Sequence, residues 1–134
     1  MKKTGYVLDS FAVLAYFQAE IGGAKVKTIL KEASSGKAVA FLSVLNLGEI
    51  IYITERRLGS DTAESILGDI LRLPVQLAEA DMERVLAAAH IKAHHAVSYA
   101  DAFVVSLAQE LNATIVTADP EFKTVQSLVN ILWL

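Results

Sequence analysis

The sequence contains no cysteine, and its acidic and basic residues nearly balance. Without cysteine the chain has no disulfide, no thiolate zinc site and no thiol nucleophile. Because the net charge is only −3 at pH 7, the molecule as a whole does not attract nucleic acid. Any binding of a polyanion must therefore depend on metal ions or on a local basic patch.

Long hydrophobic runs are also missing. No apolar run approaches the roughly 20 residues that a bilayer-spanning helix needs. The start of the chain lacks the basic and apolar regions of a signal peptide, since Lys2 and Lys3 precede only a short strand. We therefore expect a cytoplasmic protein without a membrane segment.

The length of 134 residues is that of one domain, which we expect to span residues 1–134. The hydrophobic content of 54% lies above the usual range of about 45–50%. This excess suits a sheet that is covered by helices on both faces. No internal repeat, linker or low-complexity segment interrupts the sequence.

Short apolar runs alternate with segments of helical periodicity along the whole chain. The apolar runs predict strands at Tyr6–Leu8, Ala38–Leu42, Val75–Leu77, Thr114–Val116 and Val129–Trp133. Between them, apolar residues recur at the spacing of one helix face. This alternation predicts an α/β fold with a short, mainly parallel central sheet and right-handed crossovers.

Several polar residues precede the helical segments and are expected to cap them. These residues are Ser10, Ser43, Asp61, Asp81 and Ser98. The helix after Ser43 is expected to run from about Val44 to Leu58. The helix after Ser98 is expected to run from Ala100 to Leu111 and to stop at Asn112.

Four acidic residues stand next to residues that are typical of a core. Asp9 follows the first strand, and Glu49 lies inside an apolar helical segment. Asp101 lies near a helix start, and Asp119 follows the fourth strand. Taken singly, three of them have simpler roles in a cap, a helix dipole or a turn. Glu49 does not, because a carboxylate on an apolar helix face is costly unless it is paired or bound to metal.

Taken together, the acids favour a metal centre. If the first and fourth strands are neighbours, Asp9 and Asp119 project into one crevice at the carboxyl ends of the sheet. Carboxylates crowded there would repel one another and raise their pKa values unless a divalent cation neutralised them. Oxygen ligands alone suit Mg²⁺ or Mn²⁺, which support phosphodiester cleavage. Glu121 either binds metal through water or is a solvated loop acid.

The segments around these acids resemble those of PIN-domain ribonucleases, and among them the VapC toxins of VapBC toxin–antitoxin modules. The matching segments are residues 7–10, 46–49, 98–103 and 117–122, so the resemblance extends over nearly the whole chain. The last two segments, in this order and one helix apart, are the most specific. The resemblance implies a three-layer α/β/α PIN-like domain.

The same resemblance implies roles for individual residues. The implied catalytic and metal-site residues are Asp9, Glu49, Asp101 and Asp119. The first three are the principal metal-site carboxylates, and the fourth completes the pocket. Thr117 matches the family's hydroxyl residue beside the fourth acid, and Ser10 matches the small polar neighbour of the first. Homodimerisation and inhibition by a small cognate antitoxin of the VapB type are also implied.

We therefore expect a Mg²⁺- or Mn²⁺-dependent endoribonuclease that acts as the toxin of a toxin–antitoxin pair. Two alternatives stay open: a PIN-fold nuclease of RNA processing without an antitoxin, and a non-catalytic module that binds RNA or a protein. The four acids argue against the last, because a binding module has no need of mutually repelling carboxylates. The apolar surface of the helix at residues 44–58, and of the next helix through Ile66 and Leu71, favours a homodimer.

Two further groups of residues have ambiguous roles. Arg56 and Arg57 either contact RNA phosphates or stabilise the end of their helix. His90 and His94 have the four-residue spacing of zinc ligands, but no third ligand accompanies them. They and His95 also suit a helix end, where a cationic imidazole is favourable.

Overall fold

A computed structural model of the chain describes residues 3–134, so Lys2 lies outside the described residues. The five strands of its sheet are β1 (Thr4–Leu8), β2 (Ala38–Ser43), β3 (Val75–Ala78), β4 (Thr114–Thr117) and β5 (Ile131–Trp133). They lie in the order β3-β2-β1-β4-β5, and every pairing is parallel. The predicted α/β class is confirmed, and the sheet is parallel throughout.

Six α-helices and one 3₁₀ helix accompany the strands in the described residues. The α-helices are α1 (Ser10–Phe17), α2 (Gly23–Ser34), α3 (Val44–Leu58), α4 (Ser60–Leu71), α5 (Met82–His94) and α6 (Tyr99–Leu111), and the 3₁₀ helix spans Pro120–Val125. Within residues 3–134, none of these helices combines the length and the apolar character needed to cross a bilayer.

Alternating strand residues divide the core into two halves. In β1, Val7 packs with residues of α5 and α6, whereas Leu8 packs with residues of α1 to α4. In β4, Ile115 and Val116 divide between the same two halves. Because successive strand residues point to opposite faces, helices cover both sides of the sheet. The predicted three-layer α/β/α architecture is confirmed.

The central strand β1 pairs with β2 on one side and with β4 on the other. The chain adds β2 and β3 on the first side and then returns to place β4 on the second. The boundary between β1 and β4 is therefore a topological switch point, where open α/β sheets form a crevice beyond the carboxyl ends of their strands. The strands before Asp9 and Asp119 are therefore neighbours, which is the condition for both acids to project into one crevice.

Three of the predicted helix caps are confirmed. The side chains of Ser43, Asp81 and Ser98 each accept a hydrogen bond from a backbone N–H in the first turn of α3, α5 and α6 respectively. These bonds satisfy donors that a helix start leaves free. Asn112 ends α6 in the left-handed conformation, with φ of 50°, as the sequence predicts.

The predicted caps at Ser10 and Asp61 are wrong. Asp9 caps α1 instead, because its Oδ1 accepts a hydrogen bond from the Ala12 N–H at 2.8 Å. Ser10 becomes the first residue of α1, which frees its hydroxyl for another partner. Helix α4 follows α3 with Gly59 alone between them, at φ of 91°, and Asp61 lies inside its first turn.

Two glycines differ sharply in the space around them. Gly23 begins α2 and is buried, and a Cβ there would lie 2.6 Å from the Ala15 carbonyl oxygen. Gly48 lies on the exposed side of α3, and a Cβ there would meet no atom within 4 Å.

We expect Gly23→Ala to lower the free energy of unfolding by roughly 1–3 kcal/mol, because the added methyl group pushes α2 away from the backbone of α1. Gly48→Ala should raise it by roughly 0.5–1 kcal/mol, because alanine loses less backbone entropy in a helix. Urea denaturation of the two variants measures both changes. A Gly23→Ala variant as stable as the wild type would contradict the close approach of α1 and α2.

Candidate metal centre

The four predicted acids come from four separate parts of the chain. Asp9 caps α1 after β1, and Glu49 lies on α3. Asp101 lies in the first turn of α6, and Asp119 caps the 3₁₀ helix after β4. Electrostatic repulsion couples them, since Asp9 is affected by Asp119 and Glu49, and Asp101 by Asp119 and Asp9. The fold thus brings the four acids to one end of the sheet, at the β1–β4 switch point.

Asp9 is the most deeply buried of these acids, with 1% of its surface exposed. Its Oδ1 accepts the Ala12 N–H, and its Oδ2 accepts the Thr117 hydroxyl. Burial raises the pKa of Asp9 to about 7, and repulsion from Asp119 and Glu49 adds to the rise, although the two hydrogen bonds oppose it. The main cause is therefore burial, and repulsion between the acids is secondary.

Thr117 joins the end of β4 to the end of β1. It is fully buried, and while its hydroxyl donates to Asp9, its Oγ1 accepts the Asp119 N–H at 2.9 Å. The Asp119 carboxylate in turn accepts the Glu121 N–H at 2.9 Å. The hydroxyl at position 117 therefore fixes the loop after β4 against Asp9.

Three carboxylates lie closest together. One oxygen each of Asp101, Asp119 and Glu121 lies within 4.8 Å of the others. The pKa of Asp101 is raised to about 8, first by burial, then by a side-chain hydrogen bond with Glu121 and by repulsion from the neighbouring acids. An oxygen-only group of this kind can hold a hard divalent cation, which would neutralise the crowded charges.

Glu121 is more closely involved in this group than the sequence indicates. It is half-buried, and its Oε1 accepts the Ser98 N–H at 2.8 Å, at the start of α6. Glu121 is thus held by the start of α6 next to Asp101 and Asp119, and metal binding by this residue stays a prediction. In the sequence, the one indication that Glu121 belongs to this group is its position two residues after Asp119. Its contact with Ser98 arises from tertiary packing and leaves no local pattern.

Glu49 lies half-buried on α3, where it faces α1. Its Oε1 accepts a hydrogen bond from the buried Ser10 hydroxyl at 2.5 Å. Ser10 thus contacts the acid on α3, although in the sequence it stands beside Asp9. Within residues 3–134, neither Asp9 nor Glu49 belongs to the group of acids whose oxygens lie within 4.8 Å of one another.

Arg56 and Arg57 are exposed in the last turn of α3. The Arg56 guanidinium lies over the Tyr52 ring, 5.1 Å from its centroid. Cations at this position stabilise the helix C-terminus, so the helix-end role agrees with the structure. Contact with RNA stays a prediction.

The three histidines lie at the end of α5. The rings of His90 and His94 are 4.6 Å apart between centroids, and His94 Nδ1 lies 2.9 Å from the His90 carbonyl oxygen. His95 is the C-cap residue of the helix. In the described part of the chain, no third metal-binding side chain joins them in a compact group.

Comparison with known proteins identifies the family. Residues 6–128 match the family model described as PIN domain, so the chain belongs to the PIN domain family, which is a family of nucleases. No curated protein sequence matches the chain significantly.

Several solved structures share the fold. The DNA-bound VapBC2 of Rickettsia felis is similar with a TM-score of 0.76 at 16% identity, over 96% of this chain and 98% of the other. The DNA-bound VapBC of Salmonella typhimurium gives 0.75 at 16% identity, over 96% and 97%. VapC20 of Mycobacterium tuberculosis, a toxin that cleaves the sarcin–ricin loop, gives 0.64 at 18% identity, over 84% and 87%.

The raised pKa values predict how the stability of the metal-free protein changes with pH. The ordinary pKa of both groups is 3.8, whereas folding raises that of Asp9 to about 7 and that of Asp101 to about 8. Between these limits the folded state binds more protons than the unfolded chain, so these groups lower the free energy of unfolding as pH rises. With EDTA present, we expect the melting temperature to fall between about pH 5.5 and pH 8.

Asp101→Asn should weaken this pH dependence, because the amide does not titrate. Asp81→Asn is the matched control, since Asp81 is an exposed acid at another helix start, and it should leave the slope unchanged. Calorimetry in EDTA at a series of pH values measures all three proteins. Equal slopes in the wild type and Asp101→Asn would contradict the burial of a protonated Asp101.

Proposed function

We propose that this chain is a single PIN domain over residues 1–134 and a Mg²⁺- or Mn²⁺-dependent endoribonuclease that hydrolyses RNA phosphodiester bonds. The observation that carries the proposal is the convergence of acids from four chain segments at the switch point. Burial raises the pKa of two of them, so the fold places these groups where their charge is unfavourable without a cation. A purely structural site has no need of this arrangement.

The donor set fits a hard divalent cation. Asp101, Asp119 and Glu121 offer oxygens within 4.8 Å of one another. Repulsion couples Asp9 to Asp101 and to Asp119, and Glu49 to Asp9. When bound, such a cation activates a water molecule and stabilises negative charge that develops on the phosphate. The residues proposed to hold it are the predicted quartet with Glu121 added.

The protein orients these carboxylates before any substrate binds. The Ala12 N–H and the Thr117 hydroxyl hold Asp9, and the Ser10 hydroxyl holds Glu49. The Ser98 N–H holds Glu121. Because these donors are fixed by the starts of two helices and the end of a strand, the site needs little reorganisation during the reaction.

We further propose that the chain acts in the cytoplasm as the toxin of a toxin–antitoxin pair, with a VapB-type antitoxin as its partner. The near full-length likeness to the VapBC complexes of two bacteria and to the VapC20 toxin supports this proposal. Arg56 and Arg57 are proposed RNA contacts, because they are exposed and close together at the end of the helix that carries Glu49.

Asp101→Asn should abolish most RNA cleavage without unfolding the protein. The amide keeps the size of the side chain but removes a charge on which the cation depends, so the rate should fall by about two orders of magnitude or more. Purified protein incubated with RNA and Mg²⁺ or Mn²⁺ measures this rate, and EDTA should suppress it. Asp81→Asn should cleave like the wild type. Cleavage that survives both EDTA and Asp101→Asn would refute the metal mechanism.

We also propose a homodimer. Leu58 and Leu71 are 61% and 60% exposed near the ends of α3 and α4, where the sequence predicts an interface, whereas Ile66 is partly buried against the core. Exposed apolar groups of this size favour burial between subunits.

Light scattering should give the mass of a dimer for the wild type and that of a monomer for Leu71→Lys. Met82→Lys on α5, where Met82 is 76% exposed, is the control and should leave the dimer intact. A monomeric wild type would contradict the dimer. If Met82→Lys alone dissociates it, the predicted interface on α3 and α4 is wrong.

A further inference from the structure

Asn46 lies in a buried hydrogen-bond network between α3 and α1. Its side chain is fully buried, and its Nδ2 donates to Ser10 Oγ at 3.0 Å. Ser10 Oγ in turn donates to Glu49 Oε1 at 2.5 Å. The three side chains therefore form a chain of two hydrogen bonds. It connects Asn46 on α3 to Ser10 on α1, and Ser10 to Glu49, which lies one turn after Asn46 on α3.

The Ser10 hydroxyl has a single proton, and two acceptors lie within reach. Glu49 Oε1 lies at 2.5 Å and the Asn46 carbonyl oxygen of the main chain at 3.4 Å. Since Nδ2 of Asn46 can only donate, it occupies an acceptor position of Ser10 Oγ and leaves the proton for another group. If the amide were turned over, its oxygen would compete with Glu49 for that proton. Asn46 thus sets the direction in which Ser10 donates.

The other end of the Asn46 amide shows that this residue does not serve stability alone. Its Oδ1 is buried and makes no hydrogen bond to any of residues 3–134. An unpaired buried acceptor destabilises the folded state, because it has lost its hydrogen bonds to water. An apolar side chain of similar shape, such as leucine, would avoid this penalty. The favourable contact of the Asn46 side chain is the hydrogen bond that it donates to Ser10.

We propose that Asn46 is a positioning residue of the metal centre, which acts through Ser10 to hold Glu49 in the orientation for metal binding. This inference rests on the proposed function, because it takes Glu49 as a residue of the metal site. Groups that orient metal-binding side chains by hydrogen bonds strengthen metal affinity without touching the ion. Asn46 would do so indirectly, because it contacts Ser10 and not Glu49 itself.

The test separates stability from metal affinity, because Asn46→Leu should change them in opposite directions. The melting temperature in EDTA should equal or exceed that of the wild type, since the unpaired Oδ1 is removed. Calorimetric titration with Mn²⁺ should give an affinity about tenfold weaker, near the lower end of the range for groups that orient metal ligands. A residue that serves only folding would give the reverse result.

Two controls identify the route. Ser10→Ala removes the intermediary, so adding Asn46→Leu to Ser10→Ala should leave the Mn²⁺ affinity unchanged. Thr54→Val removes another buried polar group from α3, whose hydroxyl donates only to the Ile50 carbonyl oxygen of the same helix, at 2.8 Å. It should leave the Mn²⁺ affinity at the wild-type value.

Wild-type Mn²⁺ affinity in Asn46→Leu overturns the inference, and additive losses in the double variant overturn the route through Ser10. If the leucine variant does not fold, Asn46→Ala, which adds no volume, gives the same affinity comparison. A wild-type protein that binds no Mn²⁺ overturns the proposed metal centre and this inference together. A wild-type Mn²⁺ site that is insensitive to residue 46 overturns the inference alone.

Discussion

Burial of the Asp9 carboxylate beyond the central strand constrains much of the molecule around it. A buried carboxylate is costly unless donors or a cation compensate for its lost hydration. Here the donors come from the first turn of α1, through Ala12, and from the end of β4, through Thr117. The same two hydrogen bonds therefore fix the direction in which α1 leaves the sheet and the loop that carries Asp119. The acid at the centre of the candidate site is also a structural part of the fold.

The burial of these acids lowers the stability of the metal-free protein at the place where its candidate site lies. Burial raises the pKa of Asp9 to about 7 and that of Asp101 to about 8, so their ionised forms weaken the metal-free fold. A cation that binds only the folded state reverses this effect, because its binding free energy adds to the stability of the native protein. The acids therefore lower the stability of the metal-free protein, and a bound cation would restore it. A local loss of stability of this kind is typical of functional sites that bind a ligand.

Much of the fold follows from patterns that are local in the sequence. Alternating apolar runs and helical periodicity identify every strand, and the cap residues Ser43, Asp81 and Ser98 need no tertiary information. The quartet of acids is conspicuous because charge stands in apolar surroundings. Glu121 is not, since its partner Ser98 lies 23 residues earlier in the chain. The role of Asn46 is equally hidden in the sequence. It depends on the Ser10 hydroxyl, for which the sequence predicts only a capping role.

The position of the acids relative to the two halves of the core explains why the switch point suits a metal. Asp9 and Glu49 belong to elements that bound the half built from α1 to α4, whereas Asp101 lies in the first turn of α6 in the other half. The Thr117 hydroxyl bridges the two strands between these halves. A cation held by acids from both sides would join the two helical layers across the edge of the sheet. The charge that folding leaves uncompensated there thus lies where a bound cation would be reached by acids from both sides.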